Sequence, residues 1–188
     1  MDRVGLRSEG VTETPTLSGR TAPQSPWERF ETLYRSSRDD VFAYVCTLLG
    51  DRGAAEDVTA LAFERAYRRR RTFDRRRGEE RAWLFGIARN AALDELRCRR
   101  RLATLVGDPQ DTQSPAIDDG AEVALRRTLI RTALAGLPAR DREIVALKFH
   151  AGLRNTEIAR VLGVSETAAG TLLHRTMEKL RKACDASV

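Results

Sequence analysis

The spacing of the apolar residues constrains the fold of this chain more than any other feature of its sequence. In the stretch "PWERFETLYRSSRDDVFAYVCTLLGD", apolar side chains recur mostly at intervals of three, four and seven: Phe30, Leu33, Tyr34, Val41, Val45 and Leu48. Such intervals place side chains on one face of an α-helix. No segment alternates with a period of two for long enough to predict a strand. The sequence therefore predicts an all-α fold.

The helical pattern is interrupted once, and this divides the chain into two predicted domains. Residues 27–102 form the first domain, with further helices predicted in "AAEDVTALAFERAYRRRR" and "RAWLFGIARNAALDELRCRRR". Residues 103–120 contain two Pro, two Gly and four Asp but no basic residue, which predicts a flexible acidic linker. Residues 121–188 form the second helical domain. Residues 1–26 lack the apolar core of a secretory signal and predict a disordered arm.

A helix-turn-helix motif is predicted in "NTEIARVLGVSETAAGTLLHR", residues 155–175. Asn155 is placed to cap the first helix and Ser165 the second, because short polar side chains accept hydrogen bonds from exposed N–H groups. Gly163 suits the left-handed position that ends a helix. Ala159 stands where the two helix backbones approach closely. A DNA-binding element fits this pattern, and a helical hairpin without a DNA role is the open alternative.

Positive charge is concentrated in one segment of the chain. The formal net charge is +6, yet Arg65–Arg101 alone holds fourteen arginines against five acidic residues, a net charge of +9. Such a block favours a polyanionic partner, most often nucleic acid. The alternative is an arginine-rich face that is merely solvated.

Other functional classes leave no trace in the sequence. The three cysteines, Cys46, Cys98 and Cys184, fit neither a disulfide framework nor a zinc motif, and we expect reduced thiols in a cytoplasmic protein. No apolar run is long enough for a membrane span, so no membrane insertion is expected. With two histidines, no Gly-rich phosphate loop and no nucleophile near a base, we expect neither an enzyme nor a cofactor or metal.

The chain resembles the bacterial sigma factors of RNA polymerase. "AAEDVTALAFERAYRRRRTFD" and "RAWLFGIARNAALDELRCRRR" are similar to sigma region 2, and "GLPARDREIVALKFHAGLRNTEIARVLGVSETAAGTLLHRTMEKLRK" is similar to region 4. A protein with only these two domains resembles the extracytoplasmic-function (group IV) subfamily. The resemblance implies an alternative sigma factor that binds core RNA polymerase and directs promoter recognition and opening.

The resemblance places a docking helix for core polymerase at residues 55–67. The residues it implies at this contact are Asp57, Val58, Leu61, Phe63 and Arg65. This chain departs from the family pattern, which usually has Gln and then an acidic residue where Ala60 and Leu61 stand. Either the interface is more apolar here, or Leu61 turns inward and the contact is weaker.

The resemblance also implies that region 2 captures single-stranded bases of the −10 element. The implied residues are Arg75, Arg76, Arg77, Arg89, Asn90, Asp94, Arg97, Arg99 and Arg100. Spacings of one, four and three put Arg89, Asn90, Asp94 and Arg97 roughly on one helix face. Asparagine can pair with a base edge, and arginine with phosphate or guanine. Trp83 can stack on a base, although its place in "WLFGI" favours the core.

Region 4 is expected to contact the −35 element through the helix-turn-helix. The implied residues are Arg154, Ser165, Thr167, Ala168, Thr171, His174 and Arg175. Family members commonly carry Lys or Arg where this chain has Gly170 and Leu172, so two long donors are absent. We therefore predict weak discrimination among −35 sequences, with promoter choice shifted to region 2. The alternative is that region 4 mainly binds protein.

The expected partners follow from the same resemblance: core RNA polymerase, promoter DNA and an anti-sigma factor that restrains the free protein. A competing hypothesis is a helix-turn-helix regulator without a polymerase role. That hypothesis fits residues 121–184 but leaves the region 2 pattern unexplained, and it would need a dimer interface or ligand domain that the sequence does not show.

Overall fold

The computed structural model describes residues 25–74, 76, 78–106 and 130–185, and the helices in these ranges confirm the all-α prediction. Helices α1, α2 and α3 make up the N-terminal half, and α4 to α7 the C-terminal half. Their bounds are α1 Pro26–Leu49, α2 Arg52–Arg69, α3 Glu80–Val106, α5 Ala139–Phe149, α6 Asn155–Leu162 and α7 Glu166–Asp185, and the described part of α4 covers 130–135. A short 3-10 helix, Arg70–Thr72, follows α2.

Local sequence signals explain where the first helices begin and end. Ser25 caps α1 in a reciprocal pair with Glu28: the Glu28 N–H donates to the serine hydroxyl at 3.2 Å, and the Ser25 N–H donates to the carboxylate at 2.7 Å. Gly50 ends α1 in the left-handed conformation, with φ 68°. Asp51 then caps α2 by accepting from the Ala54 N–H at 3.1 Å. The sharp corner between α1 and α2 follows from these neighbouring residues.

The predicted helix-turn-helix is confirmed as a fold element. Gly163 ends α6 with φ 69°, the conformation that its lack of a side chain permits. Ala159 is buried where α6 approaches α7, and the Ser165 hydroxyl accepts from the Ala168 N–H at the start of α7. Helix α6 begins one residue earlier than predicted, since Arg154 and not Asn155 stands in the capping position.

The two halves share a single hydrophobic core. Val41, Tyr44 and Phe85 of the N-terminal half belong to the same buried cluster as Ile144 and Leu147 of α5. Helix α5 packs on α1, and α6 packs on α3. The flexible linker predicted from the sequence leaves the separation of the two units open, whereas the structure shows them in contact.

Some predicted segments lie partly or wholly outside the described residues. They are residues 1–24 of the predicted arm, residues 107–120 of the predicted linker and residues 121–129 of the predicted second domain. Helix α3 continues to Val106, past the predicted domain boundary at residue 102. None of the helices in the described ranges combines the length and the apolar character that crossing a bilayer requires.

Candidate polymerase and promoter interfaces

One face of α2 is exposed along its whole length. Asp57, Ala60, Glu64 and Arg68 follow each other at intervals of three and four, and all four are exposed. Glu64 and Arg68 form an ion pair at 2.6 Å. This acidic-to-basic stripe, which we call the α2 stripe, is exposed and open to contact by a partner.

Not every residue implied for the polymerase contact lies on the α2 stripe. Val58 and Phe63 are buried in the core, at 4% and 5% exposure, so they hold the helix in place from beneath. Leu61 is half-buried and packs against the core, which favours the second of the two alternatives stated for it. Arg65 points toward α3, where its guanidinium lies 3.4 Å from Asp94. Of the five, Asp57 is the one that is exposed on the stripe.

The candidate −10 residues of α3 fall into two groups. Asn90, Asp94 and Arg97 are exposed at intervals of four and three, and Arg97 donates to Asp94 at 3.0 Å. These three form one polar face, as their spacing predicts. In the loop before α3, Arg76 is exposed and its N–H donates to Asp74, while Arg75 and Arg77 lie outside the described residues.

Arg89 and Arg99 are half-buried and paired with carboxylates. The Arg89 Nε donates to Glu143 of α5 at 2.6 Å, and the Tyr44 hydroxyl donates to the same carboxylate oxygen at 3.3 Å. Burial, reinforced by the nearby Glu143, raises the pKa of Tyr44 well above its usual value, so the hydroxyl keeps its proton.

Arg99 fastens α3 to the start of α2. Its guanidinium donates to Asp51 at 3.0 Å and to Glu95 at 2.8 Å. The N–H of Ala54, together with Arg99, lowers the pKa of Asp51, so this capping carboxylate stays ionised. Arg99 therefore supports the helix that carries the α2 stripe. Arg100 is exposed one residue further along.

The first turns of α7 expose a continuous polar face. Five of the residues implied for −35 contact lie on it, all exposed: Thr167, Ala168, Thr171, His174 and Arg175. Ser165 is exposed just before α7, where its hydroxyl is engaged in the cap. The methyl groups can touch thymine, and His174 and Arg175 supply donors for base edges or phosphates.

The two positions where basic donors are absent are not equivalent. Leu172 is half-buried and packs against the core, so a basic residue there would not extend from the exposed face. Gly170 borders the exposed face, and a Cβ at this position would meet only the Asn155 side chain, at 3.8 Å. Position 170 is therefore the one at which a donor is truly missing.

Arg154 serves the cap of α6 and stands near the loop before α3. Its backbone N–H donates to Glu157 at 2.7 Å, and its guanidinium lies 3.2 Å from Glu157 and 3.8 Å from Glu79. Burial alone would raise the pKa of Glu157, but the hydrogen bonds from Arg154 outweigh it and lower the pKa. The Arg154 side chain nevertheless remains 71% exposed.

Sequence reasoning missed three residues that organise these surfaces: Arg81, Glu143 and Asp51. Arg81 lies in the first turn of α3 and contacts both halves of the molecule, and Glu143 holds Arg89. Asp51 had a usable signal, because it follows a helix-ending glycine and precedes a helical stretch. Arg81 and Glu143 had no such signal, since their partners are distant in the chain.

Trp83 is half-buried and packs on Phe73, with ring centroids 5.2 Å apart.

Comparison with known proteins gives matches over both halves. Residues 33–102 match the family described as Sigma-70 region 2, and residues 127–180 match the one described as Sigma-70, region 4. The ECF RNA polymerase sigma factor SigL of Mycobacterium tuberculosis is 32% identical over 88% of this chain and 93% of its own length. The ECF RNA polymerase sigma factor BldN of Streptomyces coelicolor is 34% identical over 82% of this chain, which covers 60% of BldN.

A solved structure has the same fold. The sigma factor RpoE from Bartonella quintana, in complex with the anti-sigma factor NepR, superposes with a TM-score of 0.73. The superposition covers 84% of this chain and 97% of that one, at 22% sequence identity.

Proposed function

Because this chain belongs to the ECF family of RNA polymerase sigma factors, we propose that it binds core RNA polymerase, directs it to promoters and helps to open the duplex. The observation that carries the proposal is that one chain holds both matched regions in order, each with an exposed polar face. A regulator that only binds an operator needs a helix-turn-helix but leaves residues 33–102 without a role.

In this proposal the N-terminal half contacts polymerase and the −10 element. The α2 stripe faces polymerase through Asp57, Ala60 and Glu64, with Leu61 at its edge. The polar face of α3, with Asn90 and Arg97, meets bases and phosphates of the melted strand. Arginine supplies the positive charge that single strands require, and asparagine supplies hydrogen bonds to an extruded base. This domain extends through Val106, the end of α3.

The C-terminal half contacts the −35 element through the exposed face of α7. Arg154 and the N–H groups at the start of α7 are placed to grip phosphates, which positions the helix without specifying sequence. Thr171, His174 and Arg175 then contact base edges. The Bartonella relative was solved with an anti-sigma factor, and we propose a partner of this class for this chain as well. Polymerase and DNA share the bacterial cytoplasm, which is where such a protein acts.

Run-off transcription with purified core polymerase tests the proposal. On templates carrying randomised promoter segments, we expect the protein to yield transcripts from a defined subset, whereas core polymerase alone yields none above background. Gel retardation of the same templates by the protein alone supplies the contrast. Specific retention of DNA without any transcript would support the operator-binding regulator instead.

A further inference from the structure

A crevice opens on the surface where the start of α5 meets α1 and α3. Its volume is about 370 Å³. This lies in the lower part of the range of small-molecule sites, roughly 300–1,000 Å³. The α2 stripe, the polar face of α3 and the exposed face of α7 contribute no residue to its lining. The proposed contacts with polymerase and DNA therefore leave this crevice largely unexplained.

Four half-buried leucines from three helices form much of the wall of the crevice. They are Leu48 of α1, Leu93 and Leu96 of α3, and Leu162 of α6. Leu48, Leu96 and Leu162 also pack against the hydrophobic core, which holds these parts of the wall in place. Leu93 lines the crevice without belonging to that cluster. A concave apolar wall that solvent reaches favours an apolar ligand body, because binding removes that surface from water.

Arginines surround this apolar wall. Arg89, Arg100, Arg140 and Arg142 line the crevice together with one carboxylate, Glu143. Four positive charges against one negative give the lining a net formal charge of +3. A cleft with charge of one sign and low-dielectric walls concentrates ligands of the opposite sign. The crevice therefore combines apolar contact with attraction for an anion.

Two of these arginines are held in place by single nitrogens, which leaves donors for a ligand. Arg89 donates to Glu143 through Nε at 2.6 Å, and its two Nη atoms have no hydrogen-bond partner among the described residues. Arg142 donates through Nη1 to the carbonyls of Ala135 at 3.1 Å and Leu137 at 2.7 Å. Side chains that are fixed before binding lose less conformational entropy when a ligand arrives.

Arg140 supplies a positive charge that its surroundings do not neutralise. It is exposed, and no side chain in the described part of the chain pairs with it. It is the second residue of α5, a helix whose start is not capped by any side chain there. The partial positive charge of a helix start adds to that of the guanidinium. An anionic head near Arg140 would meet charge that the protein leaves uncompensated.

We propose that this crevice binds a small organic anion, with a phosphate or carboxylate head on the arginines and an apolar body on the leucines. Guanidinium groups match the oxygen geometry of both heads. Arg89 and Arg100 belong to the residues implied for −10 contact, so the bound anion and promoter DNA compete for them. This consequence for transcription rests on the proposed function, whereas the binding itself does not.

Titration calorimetry of the full chain tests the binding with simple probes. Hexyl phosphate and heptanoate carry both parts of the ligand, inorganic phosphate carries only the head, and hexanol only the body. Hexyl phosphate should bind at least about tenfold more tightly than phosphate or hexanol, because only it uses both the arginines and the leucines. It should also bind more tightly than heptanoate, because a phosphate carries about −1.5 to −2 charges. Equal affinity for phosphate alone, or for hexanol alone, would overturn the proposal.

Substitutions locate the bound probe in the crevice. Arg140→Gln should weaken hexyl phosphate binding about tenfold by removing a charged donor, and Leu93→Gln should weaken it similarly by removing apolar contact. Arg38→Gln is the matched control, because Arg38 is another exposed arginine without a described partner and lies on α1 outside the lining. If both crevice variants kept the affinity of the control, with circular dichroism unchanged in all three, the site would be overturned.

A second copy of this chain is the competing occupant of the crevice. Sedimentation equilibrium of the wild type and of Arg140→Gln, without any probe, measures this. We expect both proteins to sediment alike. A wild-type dimer that Arg140→Gln abolished, together with no binding of hexyl phosphate, would assign the crevice to the second copy and overturn the small-anion site.

Run-off transcription distinguishes failure of this inference from failure of the proposed function. Hexyl phosphate should lower transcription by the wild type, whereas Arg140→Gln should transcribe normally and need about tenfold more probe for the same loss. Equal loss in both proteins would overturn the competition at this site while leaving the sigma factor role intact. Absence of transcripts from the wild type without any probe would overturn the proposed function, and the calorimetric result would still decide the binding site.

Discussion

Gly170 is a single residue whose replacement should affect both stability and DNA contact. It lies inside α7, where glycine costs about 1 kcal/mol relative to alanine, and a Cβ there meets only an ordinary contact at 3.8 Å. We expect Gly170→Ala and Gly170→Lys to raise the free energy of unfolding by about 1 kcal/mol each. Only the lysine variant adds a donor, so only it should bind −35 DNA more tightly.

The alanine variant is the control that separates the two effects. Unfolding in urea measures stability, and in vitro transcription from templates randomised at −35 and at −10 measures selection. We expect wild type to select weakly at −35 and strongly at −10. If wild type selected equally at both elements, Thr171, His174 and Arg175 would be enough for −35 discrimination and the missing donor at Gly170 would not weaken it.

Arg99 and Arg101, two positions apart in α3, should respond differently to the same substitution. Arg99 is held by Asp51 and Glu95, so Arg99→Gln should lower the free energy of unfolding by about 1 kcal/mol. Arg101 is exposed, and Arg101→Gln should instead reduce the slope of log affinity against log salt by about 1 in promoter binding by the holoenzyme. An unchanged slope would show that Arg101 does not meet phosphate.

Glu157 should make the helix-turn-helix sensitive to acid. Its pKa is lowered in the folded protein from an ordinary value of 4.5, so the ionised form favours folding. This contribution is complete above about pH 4.5 and is lost as the pH falls through the lower folded value. Glu157→Gln should lower the melting temperature by about 2–4 °C at pH 7. A difference from wild type that did not shrink below about pH 4.5 would contradict this.

At the scale of elements, the α2 stripe carries the test of polymerase docking. Asp57→Lys reverses an exposed charge on the stripe and should weaken binding to core polymerase by about 1–2 kcal/mol, with the helical circular dichroism unchanged. Asp185→Lys, at the exposed end of α7, is the control and should bind normally. Arg65 is a poorer test because it also pairs with Asp94. If Asp57→Lys bound core polymerase with wild-type affinity, the docking surface would lie elsewhere on the protein.

Helix existence and the helix-turn-helix could be predicted because their signals are local. The spacing around Val41 and the left-handed position of Gly163 depend only on neighbouring residues. The direction in which a half-buried side chain points could not be predicted from local signals. Leu61 and Leu172 lie at the edge of an apolar stripe, where a rotation of a few tens of degrees decides between core and surface. Packing against other helices sets that rotation.

At the scale of the whole molecule, the shared core should make the two halves unfold together. Ile144→Ala in α5 removes buried methyl groups and should cost about 2–5 kcal/mol. Because Ile144 belongs to one cluster with Val41, hydrogen exchange should accelerate in α1 as well as in α7. Val41→Ala is the reciprocal variant and should have the same distribution of effects. If hydrogen exchange accelerated only in the half that carries the substitution, the two halves would have independent cores.

The contact between the halves was beyond the reach of sequence reasoning. Ile144 and Leu147 have the spacing of residues that pack within their own domain, and nothing in that spacing says which partner they meet. Glu143 and Arg89 are 54 positions apart, and each is an ordinary surface residue type. Only the folded arrangement reveals that they neutralise each other.

The seam between α1 and α5 is buried, so its two faces are hidden from any partner as long as the halves stay packed. A molecule that needed either face would have to compete with the core itself. The side chains that it would bind are the ones that Val41, Tyr44, Ile144 and Leu147 already bury against each other.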